Sequence, residues 1–134
     1  MEKLMKKAAM TLTILGLLLI PLASLADANL NEWVGRWSMN HDGHVGTLII
    51  SDSKMDCGGP AWCSLTLRYI DSEGASFSGN IDRIDDRWQH MVFFINFRDN
   101  RQKFDAYIFS WDKSKLAGTT YWGGRTFGLY AIKR

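Results

Sequence analysis

The side chains with the clearest capacity for chemistry lie in one short polar run, Asn40–His44, with the sequence NHDGH. Imidazole and carboxylate groups bind zinc and copper, so His41, His44 and Asp42 would form a metal site if His90 lay beside them. Asn, Asp and Gly are equally the residues that a hairpin turn requires, and the two histidines could then point apart. The turn is the favoured interpretation. We predict no bound metal, with His41, Asp42 and His44 as the candidates if one is present.

A second concentration of charge is Asp82–Arg87, which holds three aspartates and two arginines. Two of these carboxylates could serve a retaining glycosidase only if they were held about 5 Å apart across a sugar. A charged, solvent-exposed hairpin explains the run more simply. The sequence also contains no nucleophile elbow. We therefore predict a protein that is not an enzyme and that needs no cofactor.

Large aromatic side chains and one arginine are concentrated near the C-terminus, around the hairpin that contains Phe127. Aromatic rings beside arginine at the mouth of a cavity suit a flat apolar ligand, a sugar, or the binding hot spot of a protein partner. Ordinary packing in the core and at its rim is the alternative. The candidate ligand-binding residues are Trp62, Trp111, Tyr121, Trp122 and Arg125.

The elements that must position these residues are short strands, because apolar and polar residues alternate and no useful length shows the period of a helix. Short turns between the strands favour antiparallel neighbours over crossovers. Eight such strands can close completely and so remove the exposed edges of a sheet. We predict an all-β, eight-stranded, antiparallel up-and-down barrel. Its strands are Glu32–Asn40, His44–Asp52, Trp62–Ile70, Ala75–Ile84, Arg87–Phe97, Arg101–Trp111, Lys115–Trp122 and Arg125–Lys133.

The interior of such a barrel has room for its own side chains or for one small ligand. Six aromatic residues could point inward and leave little space. Glycines in the later strands could instead leave space for a ligand, or let the strands coil tightly at corners of the barrel. The aromatic residues are Phe77, Phe93, Phe97, Phe104, Trp122 and Phe127, and the glycines are Gly79, Gly118, Gly123, Gly124 and Gly128.

Residues 1–26 have the composition of a signal peptide: a basic start, an apolar run, and small residues before a cleavage site after Ala26, with Ala28 as a second choice. The apolar run is shorter than the ~20 residues that span a bilayer, which disfavours the alternative of a membrane anchor. Cleavage removes three lysines and one glutamate, which leaves thirteen basic and thirteen acidic residues in a single domain, 27–134. A domain with no net charge gives no electrostatic support for nucleic acid or a membrane as a partner.

The only two cysteines, Cys57 and Cys63, flank a turn-rich segment, GGPAW, that can bring them within bridging distance. Their spacing is neither that of a zinc knuckle nor C-x-x-C, so a metal pair or a redox motif is the less favoured alternative. We predict a disulfide that stabilises a connection between strands in an oxidising compartment.

The order Gly35-Arg36-Trp37 in the first strand, with Lys133-Arg134 at the end of the last, resembles the signature of the lipocalin, fatty-acid-binding and avidin group of barrels. The resemblance implies that Trp37 closes one end of the barrel and that Arg134 or Lys133 covers it. In the avidin branch an asparagine follows the tryptophan one residue earlier than Asn40 does here, so the polar residues that contact biotin are not carried over. Lipocalins usually have longer loops and a C-terminal helix, and neither is present here.

These observations together predict an exported, periplasmic or secreted, non-catalytic binding protein. Its ligand would be a small apolar or sugar-like molecule bound at the open end of the barrel by the aromatic residues and Arg125. The alternative is a secreted protein-interaction module, such as an inhibitor of a hydrolase, with a filled barrel and functional loops. The partner is thus a small molecule or a protein, and the oligomeric state is left open.

Overall fold

Eight strands form the framework of the computed structural model, which describes residues 28–134. The predicted leader, residues 1–26, lies outside the described residues. A short helix, α1 (Leu30–Trp33), precedes the first strand, and a single 3-10 turn, Ala61–Ser64, precedes the third. The strands are β1 (Gly35–His41), β2 (His44–Asp52), β3 (Leu65–Asp71), β4 (Ser76–Asp85), β5 (His90–Asn96), β6 (Arg101–Ile108), β7 (Lys115–Trp122) and β8 (Arg125–Lys133).

Each strand pairs with the next in antiparallel orientation, and β8 pairs with β1, so the sheet closes into an up-and-down barrel. The predicted fold class is therefore confirmed. The junctions are unequal: β7 and β8 are paired over eight residue pairs, whereas β3 and β4 are paired over only four, from Leu67–Gly79 to Ile70–Ser76. Within residues 28–134 no helix combines the length and the apolarity needed to cross a bilayer.

Four strand boundaries differ from the sequence prediction by three residues. The third strand was expected from Trp62 but begins at Leu65, after the 3-10 turn, and the sixth was expected to reach Trp111 but ends at Ile108. The other two differences have local causes. The first strand was expected from Glu32, but Asn29 accepts a hydrogen bond from the Glu32 amide and starts α1 there. The fifth strand was expected from Arg87, but Asp86, Arg87 and Trp88 all have positive φ, of 50°, 56° and 67°. Three successive left-handed residues end the extended geometry, so β5 begins only at His90.

Tryptophan side chains close the end of the barrel that carries α1. Trp33 and Trp37 are fully buried, and the Trp37 indole N–H donates to the carbonyl oxygen of Trp33 over 2.9 Å. The Trp33 indole N–H in turn donates to the carbonyl oxygen of Trp88, in the turn between β4 and β5, over 2.6 Å. Each buried indole therefore has a partner, as buried polar groups require.

The cation that covers Trp37 is Lys133, and Arg134 does not take this position. The Lys133 ammonium lies 5.0 Å from the centre of the Trp37 ring and donates to the carbonyl oxygen of Glu32 over 2.5 Å. Arg134 donates to the hydroxyl of Ser38 over 3.0 Å. Lys133 and Arg134 are neighbours in extended chain, so their side chains point to opposite faces of the sheet, and it is Lys133 that faces Trp37.

The part of the barrel next to the closed end is filled by its own side chains. Phe93 and Phe104 stack in parallel with ring centres 5.0 Å apart, and both are fully buried. The aliphatic and thioether side chains around them are Met39, Leu48, Ile50, Met91, Ile95, Ile108 and Leu116. The sequence left open whether the interior is filled or hollow, and at this level it is filled.

Two strand glycines permit close approach rather than leaving space. A Cβ atom on Gly118 would overlap the carbonyl oxygen of Asp105 on the neighbouring strand, β6. On Gly46 it would overlap the hydroxyl of Tyr69, so this glycine makes room for a tyrosine that lines the other end of the barrel. At both positions the absence of a Cβ atom allows a neighbouring group to lie close to the backbone.

The predicted disulfide is present: Cys57 and Cys63 are bonded, with Cα atoms 6.1 Å apart. It closes the loop between β2 and β3, at the same end of the barrel as α1. Trp62, inside this loop, packs edge-to-face on Trp88 with ring centres 6.4 Å apart. The disulfide therefore holds Trp62 against the turn that covers the closed end.

Candidate functional site

The end of the barrel opposite α1 contains a cup-shaped cavity of about 680 Å³. It lies among the four turns that join β1 to β2, β3 to β4, β5 to β6 and β7 to β8. Because the strands run alternately up and down, these four connections all fall at one end. We call this cavity the cup.

Aromatic rings from four parts of the chain line the cup: Tyr69, Phe77, Phe97, Trp122 and Phe127. Phe97 lies at the centre of this cluster, with ring centres 5.1 Å from Phe77 and 5.8 Å from Tyr69. Trp122 and Phe127 line the cup from the β7–β8 hairpin. Phe77, Phe97 and Phe127 are half-buried, which leaves part of each side chain accessible. Such a wall offers flat apolar surfaces for stacking.

Carboxylates line the outer rim of the cup. Asp42, Asp71 and Glu73 all border it, whereas none of the described residues that line it is a lysine or an arginine. One oxygen of Asp71 accepts hydrogen bonds of 2.9 Å from the amides of Glu73 and Ala75 and so holds the β3–β4 turn. The rim therefore disfavours anions electrostatically.

His41 is the one histidine buried within the cup. Every second residue of β1, namely Trp37, Met39 and His41, points to the interior of the barrel. This alternation places the His41 imidazole beneath the β1–β2 turn. The side chain is only 5 % exposed. Its ring centre lies 5.2 Å from that of Phe104 and 5.6 Å from that of Tyr69, both in edge-to-face geometry.

Neither ring nitrogen of His41 has a hydrogen-bond partner among residues 28–134. Burial is the main cause that lowers the pKa of His41 to about 4; His44 also lowers this pKa, and Asp42 partly opposes both effects. The imidazole is therefore neutral at pH 7 and carries one N–H donor and one acceptor nitrogen. An unpaired buried polar group of this kind costs on the order of 1–3 kcal/mol.

Two other buried polar side chains near His41, Gln102 and Thr120, are already paired. Gln102 donates from its side-chain amide to the hydroxyl of Thr120 over 2.8 Å, and Thr120 donates to the carbonyl oxygen of Lys103 over 2.8 Å. Burial, with a smaller contribution from Asp71, raises the pKa of Tyr69 to about 12, so this phenol keeps its proton at neutral pH. Among the described residues that line the cup, the two ring nitrogens of His41 are the fully buried side-chain atoms without a hydrogen-bond partner.

The five predicted ligand-binding residues do not come together. Trp122 lines the cup, and the guanidinium of Arg125 lies at its edge, 5.4 Å from the centre of the Phe127 ring. Tyr121 points to the outside, where the Lys103 ammonium lies 5.5 Å from its ring centre.

Trp62 and Trp111 lie at the opposite, closed end. The strand expected to run to Trp111 ends at Ile108, and the loop that follows leads to the start of β7, beside the closed end. Trp111 is 79 % exposed and stacks on Phe109. Trp62 borders a second depression, of about 610 Å³, between β3 and β4.

The metal site that required His90 does not form. His41 and His44 are paired across the β1–β2 turn with ring centres 5.5 Å apart, but His90 begins β5 at the closed end. The turn interpretation of this segment is confirmed, because Asp42 and Gly43 both have positive φ and the Asn40 side chain accepts from the Gly43 amide. Across residues 28–134 no group of three or more His, Cys, Asp or Glu side chains is arranged to hold a metal.

His90 is instead held between two carboxylates on the outer wall of the barrel. One ring nitrogen lies 2.5 Å from an Asp85 oxygen and the other 2.5 Å from an Asp105 oxygen. Arg83 also pairs with Asp85, over 3.1 Å. These interactions lower the pKa of Asp85, with the hydrogen bond to His90 as the largest cause. The charged segment predicted around residues 82–87 thus belongs to a network of hydrogen bonds and ion pairs that joins β4, β5 and β6.

Sequence reasoning did not identify His41 as an interior residue, although the signal was present. The strand that begins with Trp37 alternates Trp37, Met39 and His41, and an inward Trp37 carries His41 inward with it. The residues of Asn40–His44 are typical of a turn, so the sequence predicted a turn there and not a buried histidine.

Comparison with known protein families finds no family that matches this chain, and none of the curated proteins matches it in sequence.

Proposed function

We propose that this protein is an exported, non-catalytic binding protein that holds one small apolar or sugar-like molecule in the cup, in the manner of the lipocalin and avidin barrels. The observation that carries the proposal is the cavity of about 680 Å³ at the open end. Small-molecule sites are concave, mostly apolar and about 300–1,000 Å³ in volume. The aromatic wall and the filled lower barrel favour a ligand held near the rim.

Export is supported by two features of the chain. The disulfide between Cys57 and Cys63 requires an oxidising compartment to form and persist. Residues 1–26 have the composition of a leader that directs a protein to such a compartment.

The test is a titration with Nile red, an uncharged dye whose emission rises in apolar surroundings, against two matched tryptophan variants. Trp122→Ala removes a ring from the wall of the cup and should weaken binding about tenfold, the effect of losing roughly 1.4 kcal/mol of stacking. Trp111→Ala removes an exposed ring at the opposite end and should leave binding unchanged. No binding by the wild-type protein, or sensitivity to Trp111 alone, would refute a ligand site in the cup.

Native mass spectrometry of the protein purified gently from its own exported compartment complements the titration. A discrete added mass supports the proposal and gives the size of the natural ligand.

A second candidate function is a protein-interaction module, for example a secreted inhibitor of a hydrolase. The observation that favours it is Trp111, which is 79 % exposed and stacked on Phe109 with ring centres 4.8 Å apart. Exposed tryptophan is enriched at binding hot spots. A partner that loses affinity for Trp111→Ala but not for Trp122→Ala would favour this function over ligand binding.

A further inference from the structure

His41 is the feature of the cup that the fold alone does not explain. A buried imidazole normally has partners for its ring nitrogens, but both nitrogens here lack one among residues 28–134. Phenylalanine or leucine could fill the same interior position without the cost of burying unpaired nitrogens. His41 lines a ligand-sized cavity, and its two buried, unpaired nitrogens are groups that a ligand reaching the floor of the cavity would satisfy.

The surroundings of His41 restrict the shape of that ligand. The rings of Tyr69, Phe97 and Phe104 have their centres within 6.2 Å of the imidazole centre. A molecule that reaches the imidazole must therefore pass between aromatic faces, which favours a flat aromatic body over a sugar with hydroxyl groups on every side.

The charges around the cup restrict the ligand further. Asp42, Asp71 and Glu73 on the rim repel an anion such as a fatty acid, whereas Arg125 lies outside the lining and contacts the Phe127 ring. An anionic group near His41 would lose its hydration among aromatic rings, and none of the described residues that line the cup is a lysine or an arginine that could pair with it. A cationic group would be drawn to the carboxylates of the rim instead of the floor. The part of the ligand that reaches the floor is therefore uncharged.

We propose that His41 is the polar anchor of the cup and that the ligand is an uncharged, flat aromatic molecule whose hydroxyl or amide group hydrogen-bonds this imidazole. The inference rests on the proposed function, because it assumes that the cup holds a small molecule. It adds the chemical class of that molecule and the residue that selects it.

The test compares three probes with the same ring system by isothermal titration calorimetry at pH 7. 2-Naphthol offers a hydroxyl, naphthalene offers no polar group, and 2-naphthoate carries a negative charge. Wild-type protein should bind 2-naphthol about fivefold more tightly than naphthalene, the ratio expected for one added hydrogen bond, and 2-naphthoate most weakly.

The variant His41→Phe keeps an aromatic ring at the floor and removes both nitrogens. It should bind naphthalene at least as well as the wild type does and should no longer prefer 2-naphthol. Trp111→Ala is the control, because Trp111 is exposed at the closed end and touches no residue of the cup, and it should keep the preference. If His41→Phe does not fold, the ¹⁵N resonances of the His41 ring in the wild-type protein give the second readout, because they should shift on addition of 2-naphthol.

The outcomes separate this inference from the proposed function. Equal binding of naphthalene and 2-naphthol, or a preference that persists in His41→Phe, overturns the role of His41 while the cup remains a ligand site. Tightest binding of 2-naphthoate overturns the assignment of an uncharged ligand. Failure of all three probes to bind overturns both proposals.

Discussion

Gly118, on β7, provides a sharp test of how tightly the strands of the barrel are packed. A Cβ atom at this position would overlap the carbonyl oxygen of Asp105 and would lie 2.8 Å from the Cα atom of Ala106, both on β6. These neighbours are backbone atoms, which cannot rotate away as the end of a side chain can. We predict that Gly118→Ala forces β6 and β7 apart and destabilises the fold.

The magnitude follows from the nature of the overlap. Overpacking a core costs typically 1–3 kcal/mol, and we expect about 3 kcal/mol here because the backbone itself must move. In a domain of this size each kcal/mol lowers Tm by roughly 4–8 °C, so the variant should melt roughly 12–24 °C below the wild type. The assay is thermal denaturation followed by near-ultraviolet circular dichroism, which reports on the buried rings of Trp33 and Trp37.

Gly128→Ala is the matched control. Gly128 lies on the adjacent strand, β8, opposite Thr119, and a Cβ atom there would have no neighbour within 4 Å. Its φ is not in the left-handed region, so alanine should fit and should stabilise the protein by about 0.4–1 kcal/mol through the unfolded chain. Equal Tm values for the two alanine variants would refute the reasoning, because only the space around the added methyl group differs between them.

Three further predictions concern the closed end and the outer wall. Reduction of the disulfide should lower the free energy of unfolding by roughly 2 kcal/mol, measured by thermal denaturation with and without reductant, because its loop is short. Lys133→Met keeps the apolar stem but removes the cation over Trp37, and it should cost about 1 kcal/mol in chemical denaturation. The free energy of unfolding of Asp85→Asn, measured by denaturation at a series of pH values, should fall less steeply in acid than that of the wild type. The pKa of Asp85 is lowered by His90, so its contribution is complete above the unfolded carboxyl pKa and is lost as pH falls through the folded one.

Each of these predictions has a contradicting result. An unchanged Tm after complete reduction would mean that the disulfide contributes nothing to the folded state. Arg134→Met is the control for the lysine variant, because the Arg134 side chain donates a hydrogen bond to the Ser38 hydroxyl at the surface and does not cover Trp37. An equal loss in both variants would contradict the special role of the cation over Trp37. A stability difference between wild type and Asp85→Asn that persists undiminished to pH 2 would contradict the ion-pair assignment.

The fold could be predicted from the sequence because its information is local. Strand alternation such as Met91, Phe93 and Ile95 appears within a few residues, and short turns such as Gly123-Gly124 leave antiparallel pairing as the only arrangement. The helix at Leu30–Trp33 was missed because four residues are too few to show a helical period.

The site could be predicted only in part because its information is not local. Trp111 and Trp122 are close in sequence, but the chain crosses the length of the barrel between them. The sequence shows alternation along a strand, yet which end of the barrel a residue occupies depends on where the strand stops. The ring nitrogens of His41 are buried because Tyr69, Phe97 and Phe104 surround the imidazole. These three rings come from distant parts of the sequence, so no local pattern predicts their arrangement.

The short junction between β3 and β4 makes the cup deformable in one direction. Separation of these two strands breaks the fewest ladder hydrogen bonds of any junction, so spontaneous opening concentrates there. Tyr69 and Phe77 face each other across the junction and both line the cup, so each opening widens it. Lower down, the loop that carries Trp62 borders the same two strands and is tied by the disulfide. The β3–β4 pair is thus the most weakly joined part of the barrel beside the cup, and a disulfide ties the loop at the other end of the same two strands.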